Sequence, residues 1–442
     1  MLSVGKLTGS DVFKVAWCDN LLGEARFAWR FIEHCRRGGR FEIYYGEPGT
    51  GKTEELAKAL VAAQGRATGG SAQNASADLL TERIARMEGN QNIKTVYKGY
   101  DFYPNDRRKS FNPIKRKLFF IDEFGQVSCD AAGIIALRWK PGSTVLTALG
   151  VGQNLPVGAG RIGEDLLEWL TKNPNVLPTC VPIPLLENHR LKDPKTSGIV
   201  RFFQQVDKGE IPVAGPGMDI IYCAEQGDVM KQVISVAIQI KALCILPTRA
   251  AAFNASEGIM ASERYDVELD FSDTSYKAGE RLIIINASEN ASKHGLRNGS
   301  DVEVAEDVAL SCNPNTKIVV WGRNNNRLEL ELNEVARKHS RTGHSVQGME
   351  HPVVVVGIIP SRPANRRWLF TAVSRSREHC VVVCTKDGLS DCVGKNPQRD
   401  TLLPVLLDRA LAAFKSLPEP VAVKRKPRKR RDKVTAEENT LP

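Results

Sequence analysis

The sequence has 442 residues, 42% hydrophobic and 25% charged, with 61 lysines and arginines against 51 acids for a formal net charge of +10. At about 150 residues per domain this predicts about three folding units with room for a large core. No run approaches the ~18 uncharged apolar residues of a membrane-spanning helix, and the first residues lack a basic segment followed by an apolar one, so a membrane or secreted protein is not expected.

The ten cysteines form no C-x-x-C pair and stand at no metal-ligand spacing to a histidine, which gives zinc no support and reads as a reducing compartment. The charge is unevenly placed. Residues 424–433 carry eight bases and one acid, so this segment supplies +7 and leaves +3 for all the rest. Net charge therefore says little about the body and more about the tail.

In chain order, residues 41–45 (Phe-Glu-Ile-Tyr-Tyr) read as a strand running into a glycine-rich turn. A helix follows from Thr53, with Leu56, Leu60 and Val61 on one face. Residues 117–121 form a second buried strand ending in Asp122 and Glu123, and residues 143–149 a third. Apolar strands separated by helical stretches predict an α/β fold with parallel sheets covered on both faces. The pattern restarts with a helix over 227–240 and strands over 241–248, 352–359 and 380–384. Between them, about 277–335, short β segments and Asn-Gly turns predict a small β-barrel inserted in the second α/β unit. From residue 416 the composition predicts a disordered basic tail. The expected domains are thus an N-terminal extension over 1–40, a first unit over 41–225, a second over 226–415 and the tail over 416–442.

Gly46-Glu47-Pro48-Gly49-Thr50-Gly51-Lys52-Thr53 fits G-x-x-x-x-G-K-[ST] between a strand and a helix. Glycines let backbone N–H groups wrap phosphates, and the helix N-terminus adds partial positive charge. Lys52 would reach the β- and γ-phosphates of ATP and the Thr53 hydroxyl would hold Mg²⁺. At the strand end, Asp122 would reach Mg²⁺ through water, and Glu123 would act as general base on an attacking water. A water-activating glutamate favours an ATP hydrolase over a kinase.

Thr342-Gly-His-Ser-Val-Gln-Gly348 and Phe370-Thr-Ala-Val-Ser-Arg-Ser-Arg377, each followed by a strand, resemble helicase motifs V and VI. With the phosphate loop they make the chain similar to superfamily 1 helicases, in the RecD-like or Pif-type DNA helicase branch. The resemblance spans about residues 40–385 and implies two RecA-like P-loop domains. Residues 67–69 resemble motif Ia, 95–97 motif Ib, 153–160 motif III and 186–190 motif IV, and 197–212 also match the branch.

By position, the resemblance implies that Gln153 orients the attacking water and that Arg190 and Arg375 act as arginine fingers when the two α/β units close. Taken alone, either arginine reads first as a surface ion-pair residue, and only the motif context favours the finger. Thr68, Thr95, Thr342 and His344 would line the single-strand track, touching phosphates without reading sequence; His344 is equally a structural histidine. The resemblance implies a strand-separating hairpin near 99–113, a stretch that reads equally as an ordinary exposed loop. Three departures bear on coupling: Gly150 stands where motif III carries aspartate, motif V has no lysine after His344, and Glu47 puts an acid in the phosphate loop.

The implied function is an ATP-dependent helicase or translocase on single-stranded DNA, moving 5′ to 3′, with replication or repair proteins as possible partners. Two alternatives stay open: a viral RNA helicase of the same superfamily, and a nucleic-acid-binding NTP switch without unwinding. The tail suits a nuclear-import signal, a non-specific phosphate-binding arm or a solubilising run; location is otherwise expected to be cytoplasmic.

Overall fold

In a computed structural model of the protein, the described residues are 20–101, 113–156, 158–263, 276, 279–284, 287–294, 296, 300–305, 317–322, 326–337, 339–397, 399 and 401–415. The basic tail and most of the expected hairpin lie outside them. Among the described residues no helix is long and apolar enough to cross a membrane.

The first half runs α1 (Asn20–Arg36), β1 (Arg40–Gly46), α2 (Lys52–Ala62), β2 (Ala67–Ser71), α3 (Asn74–Arg86), α4 (Val96–Gly99), β3 (Leu118–Asp122), α5 (Cys129–Leu137), β4 (Thr144–Gly150), α6 (Ile162–Lys172) and β5 (Cys180–Pro184). Its five strands pair in parallel in the order β2-β3-β4-β1-β5. From β1 the chain moves to one side of the sheet, and after β4 it crosses to β5 on the other. The carboxyl end of β1 is therefore a switch point, where open α/β sheets leave a crevice for ligands.

The second half runs α7 (Ser197–Lys208), β6 (Met218–Tyr222), α8 (Gln226–Ile240), β7 (Leu243–Leu246), α9 (Arg249–Glu263), β8 (Arg281–Ile284), α10 (Glu289–Lys293), β9 (Asp301–Val304), β10 (Lys317–Trp321), β11 (Arg327–Glu331), β12 (Val335–Arg337), β13 (Ser340–Thr342), β14 (His351–Gly357), α11 (Arg366–Val373), β15 (Ser376–Cys384), α12 (Lys386–Gly394) and α13 (Leu403–Lys415). A second parallel sheet has the order β13-β7-β14-β15-β6. Where a barrel is expected, the described strands form an antiparallel sheet in the order β11-β10-β9-β8-β12, with alternating buried and exposed residues along β9 and β11.

Domain limits differ from the expected ones at three places. β6 pairs with β15, and α7 buries Ile199, Phe202, Phe203 and Val206 in the core that holds Trp368 and Phe370, so both belong to the second unit although they precede residue 226. Conversely, α13 returns to the first core through Leu403, Leu407 and Leu411. Within 1–40, α1 is part of that core as well. The cause is α5, whose residues Cys129 and Ala131–Leu137 are all buried. A helix apolar on every side needs cover on its outer face too, and Phe27, Phe31 and Ile32 of α1 share the cluster that buries it. Trp29 of α1 meets Phe414 of α13 at 4.6 Å between ring centroids.

If α13 completes the first core, Leu407→Ala should cost about 2–5 kcal/mol by denaturant unfolding, the range for opening a leucine-sized cavity. A change of under about 0.5 kcal/mol, the range for surface substitutions, would contradict this packing.

Candidate nucleotide site between two sheets

The phosphate loop leaves β1 at Gly46 and enters α2 at Lys52. Gly51 takes φ +85° at the helix start, a left-handed conformation that a side chain would strain. Glu54 and Glu55 occupy the first helical turn, where acids offset the dipole. The loop is folded on its own contacts: Thr50 Oγ1 donates to the Glu47 carbonyl at 2.9 Å. Lys52 Nζ donates to the carbonyls of Gly46 at 2.9 Å and Glu47 at 2.6 Å. Withdrawal from water pulls the Lys52 pKa from 10.5 down to about 8; Glu123 and Asp122 oppose this, while Arg375 and Arg190 reinforce it. Gly46 and Glu47 thus serve Lys52 through their carbonyls. The Glu47 carboxylate accepts from Gln204 Nε2 of α7 at 2.8 Å and from Asn188 Nδ2 at 3.5 Å, so the acid in the loop is held by two amides.

Asp122 ends β3 at 2% exposure, in register with Ser71 of β2, whose hydroxyl donates to Oδ2 at 3.1 Å. Burial and the neighbouring Glu123 carboxylate push its pKa up to about 7. Glu123 follows at φ +53°, an unfavourable backbone for glutamate that the turn after β3 imposes. Gln126 Nε2 donates to Glu123 Oε2 at 3.2 Å.

Gln153 is buried, and its side-chain oxygen has no partner among the described residues. An orphaned buried acceptor costs about 1–3 kcal/mol, and a water donor would relieve it. Gly150 lies directly under this side chain: a Cβ there would stand 2.7 Å from Gln153 Nε2, so a larger residue would require Gln153 to move. The loop around Gln153 is fastened to the second unit. Arg367 of α11 donates to the Gln153 carbonyl at 3.2 Å and grips Glu164 of α6 through both guanidinium ends at 2.5 and 3.0 Å. The Asn154 amide donates to Thr371 Oγ1 at 2.8 Å.

Arg190 lies in the connection from β5 to α7. It donates to the Ser374 carbonyl at 2.7 Å and forms an ion pair with Glu350, so the surface-pair alternative and the cleft position coexist. Arg375, 4% exposed, precedes β15 and donates to Thr371 O at 3.1 Å and Ser374 Oγ at 3.0 Å. Burial pulls its pKa down while Glu123 holds it up. A cleft of about 690 Å³ is lined by Pro48–Glu55, Glu123, Gln153, Arg190 and Arg375, together with Arg83 and Glu350. The structure therefore brings Lys52, Thr53, Glu123, Gln153 and both arginines to one wall-to-wall site, with Asp122 buried behind Glu123.

The four track residues are less united. Thr342 ends β13 and His344 lies in the turn that follows, with Thr342 Oγ1 donating to Ser345 Oγ at 3.3 Å. His344 bonds the Leu155 backbone across the two units; crowding in that crease and nearby Arg399 lower its pKa, against the effect of the Leu155 bond. Thr95 precedes α4 and bridges Ser71 at the carboxyl end of the first sheet. Thr68 pairs with Phe119 three residues earlier on β2, ~10 Å back along the strand. Ser71, Glu350, Gln73 and Gln126 escape sequence reasoning, since serines, glutamines and loop acids carry no spacing signal.

Residues 339–383 match the UvrD-like helicase C-terminal domain family. No curated protein sequence matches the chain. Similar solved structures include Bacteroides Pif1 bound to single-stranded DNA, at 16% identity, 90% of this chain and 97% of that one covered, and TM-score 0.48. Pif1 helicase from Candida albicans is 13% identical, with 90% and 100% covered and TM-score 0.46. Arterivirus nonstructural protein 10, a helicase in complex with DNA, is 14% identical, with 82% and 65% covered and TM-score 0.41.

Lys52 gives a pH test. Below about 8 the penalty of its buried charge is fully present; it fades as pH rises toward 10.5, where the unfolded chain also loses the proton. Nucleotide-free Lys52→Met is expected to melt above wild type at neutral pH, with the gap narrowing by about pH 9.5 in thermal scans. No gap at neutral pH, or one that widens with pH, would contradict the assignment.

Proposed function

We propose that the protein is an ATP-hydrolysing motor that moves 5′ to 3′ along single-stranded DNA and separates strands. The observation that carries this reading is the cleft itself. A phosphate loop with Lys52 faces Glu123 on its own sheet and Arg375 from the other, so hydrolysis depends on how the two sheets approach. The segment 339–383, which supplies Arg375 and the 342–348 turn, is the one that matches a helicase family.

In this reading the loop amides and Lys52 bind the phosphates. The Thr53 hydroxyl and Asp122 would hold Mg²⁺, which would supply positive charge against the charge developing on the phosphates. Among the described residues no cluster of three or more acids, histidines or cysteines could cage a metal. That fits a cation which keeps its waters and takes few protein ligands beside the phosphates. Gln153 Oε1 accepts from the attacking water and Glu123 takes its proton as the water oxygen bonds to the γ-phosphorus. The bond to the leaving diphosphate oxygen breaks while Arg190 and Arg375 hold the charge. Arg190 must trade Glu350 for phosphate to do so.

The same reading makes the antiparallel sheet the inserted barrel and the 342–348 turn part of the polymer track. The basic tail serves as a phosphate-binding arm or nuclear-import signal, and replication or repair proteins are the expected partners.

Steady-state hydrolysis by purified protein with no polymer, single-stranded DNA or single-stranded RNA is the test. DNA should stimulate turnover, and Lys52→Ala should lower it about 10²-fold or more. Stimulation by RNA alone would turn the reading to an RNA motor; ATP binding without stimulated turnover would leave a switch.

A further inference from the structure

Gln73 stands just before α3 in extended backbone. Its side-chain nitrogen lies 2.7 Å from Gln126 Oε1, 2.9 Å from Gln347 Oε1 and 3.3 Å from the His344 carbonyl. Gln126 in turn donates to Glu123 at 3.2 Å. The acceptor-only carboxylate orients this row of amides. Gln126 must turn its NH₂ to Glu123 and its carbonyl to Gln73, so Gln73 must present its own NH₂. That group has two N–H bonds and three acceptors. Gln126 takes one, and Gln347 and the His344 carbonyl compete for the other.

Both competitors sit on the 342–348 turn of the second unit. Gln347 is 1% exposed, and among the described residues its Nε2 has no partner while its oxygen faces Gln73. A buried unpaired N–H costs about 1–3 kcal/mol, so this pairing leaves both N–H bonds of the Gln347 amide unsatisfied, and a shift of Gln73 to the His344 carbonyl would release Gln347 to turn. The turn has little slack against α3: a Cβ on Gly348 would come within 1.7 Å of the Ser76 hydroxyl. Movement of the turn therefore reaches the start of α3, where Gln73 is fixed.

We propose that Gln73 is a positioning residue that relays occupancy of the 342–348 turn to Glu123 through Gln126. The proposal rests on the reading of Glu123 as water-activating base and of the turn as polymer contact. Neither glutamine lies within the motifs that carry the resemblance: Gln73 is past the 67–69 stretch and Gln126 is past the acid pair.

The test uses the full-length protein, with ATP turnover measured without polymer and with saturating oligothymidylate, and oligothymidylate affinity measured by fluorescence anisotropy. Gln73→Met keeps an unbranched side chain of similar size and removes the hydrogen bonds. Gln73→Glu keeps the shape but offers no N–H donor. Both should keep basal turnover and oligothymidylate affinity within about 2-fold of wild type and lose about 10-fold of the stimulation, the scale of one well-placed hydrogen bond. Gln73→Met combined with Gln126→Met should lose no more stimulation than Gln126→Met alone, because both act through one row. Full stimulation in the Gln73 variants, or multiplied losses in the double variant, would overturn the relay while leaving the motor intact. Absence of stimulation in wild type would instead remove the motor reading, and the relay with it.

Discussion

Charge balance around Lys52 is the constraint on which the site depends. Three cations, Lys52, Arg190 and Arg375, share one cleft region with three acids, Asp122, Glu123 and Glu350. Burial of charge is costly unless it is paired: Arg190 has an ion pair with Glu350, while Lys52 rests on two carbonyls and carries a net burial penalty. The strain of burial is also visible in the shifted groups: withdrawal from water pulls the Lys52 pKa down, and burial beside Glu123 pushes that of Asp122 up. Perturbed pairs of this kind gather at functional sites because function requires them there, at some cost to stability.

The rest of the fold holds that cluster in place from two directions. Parallel pairing sets Gly46 beside Gly150 and Ser71 beside Asp122, so the phosphate loop, the motif III-like loop and the acid pair emerge from one sheet edge. The second sheet presents Arg375 through the turn between α11 and β15. Arg367 and Thr371 on α11 tie that same helix to Glu164, Gln153 and Asn154. Gln153 and Arg375 are thereby linked through a single helix. Arg399 adds a third tie, donating to the carbonyls of Pro156 at 2.8 Å and Gly160 at 3.1 Å just before α13 rejoins the first core.

The phosphate loop, the acid pair and the two groups of apolar strands were legible because each is local: glycine at positive φ, lysine at a helix start, valine runs in buried strands. The second-unit membership of α7 was not, since the amphipathic face with Phe202 and Phe203 says that a helix is half-buried but not in which core. The return of α13 to the first core was hidden for the same reason. Ser71 and the glutamines at 73 and 126 act only through neighbours brought by strand register, and register is a tertiary property. Glu47 reads in sequence as a misplaced acid; Gln204, 157 positions away, is what accommodates it.

The central claim is that catalysis requires the second sheet to complete a site built on the first. The most direct measurement is ATP turnover beside ATP affinity for Arg375→Lys and Arg190→Lys, which keep the charge and lose the planar fork. The account predicts that turnover falls about 10²-fold or more while affinity stays within about 3-fold, because the guanidiniums act on the transition state. Turnover at the wild-type level in both variants would mean that the first sheet hydrolyses ATP alone, and would contradict it.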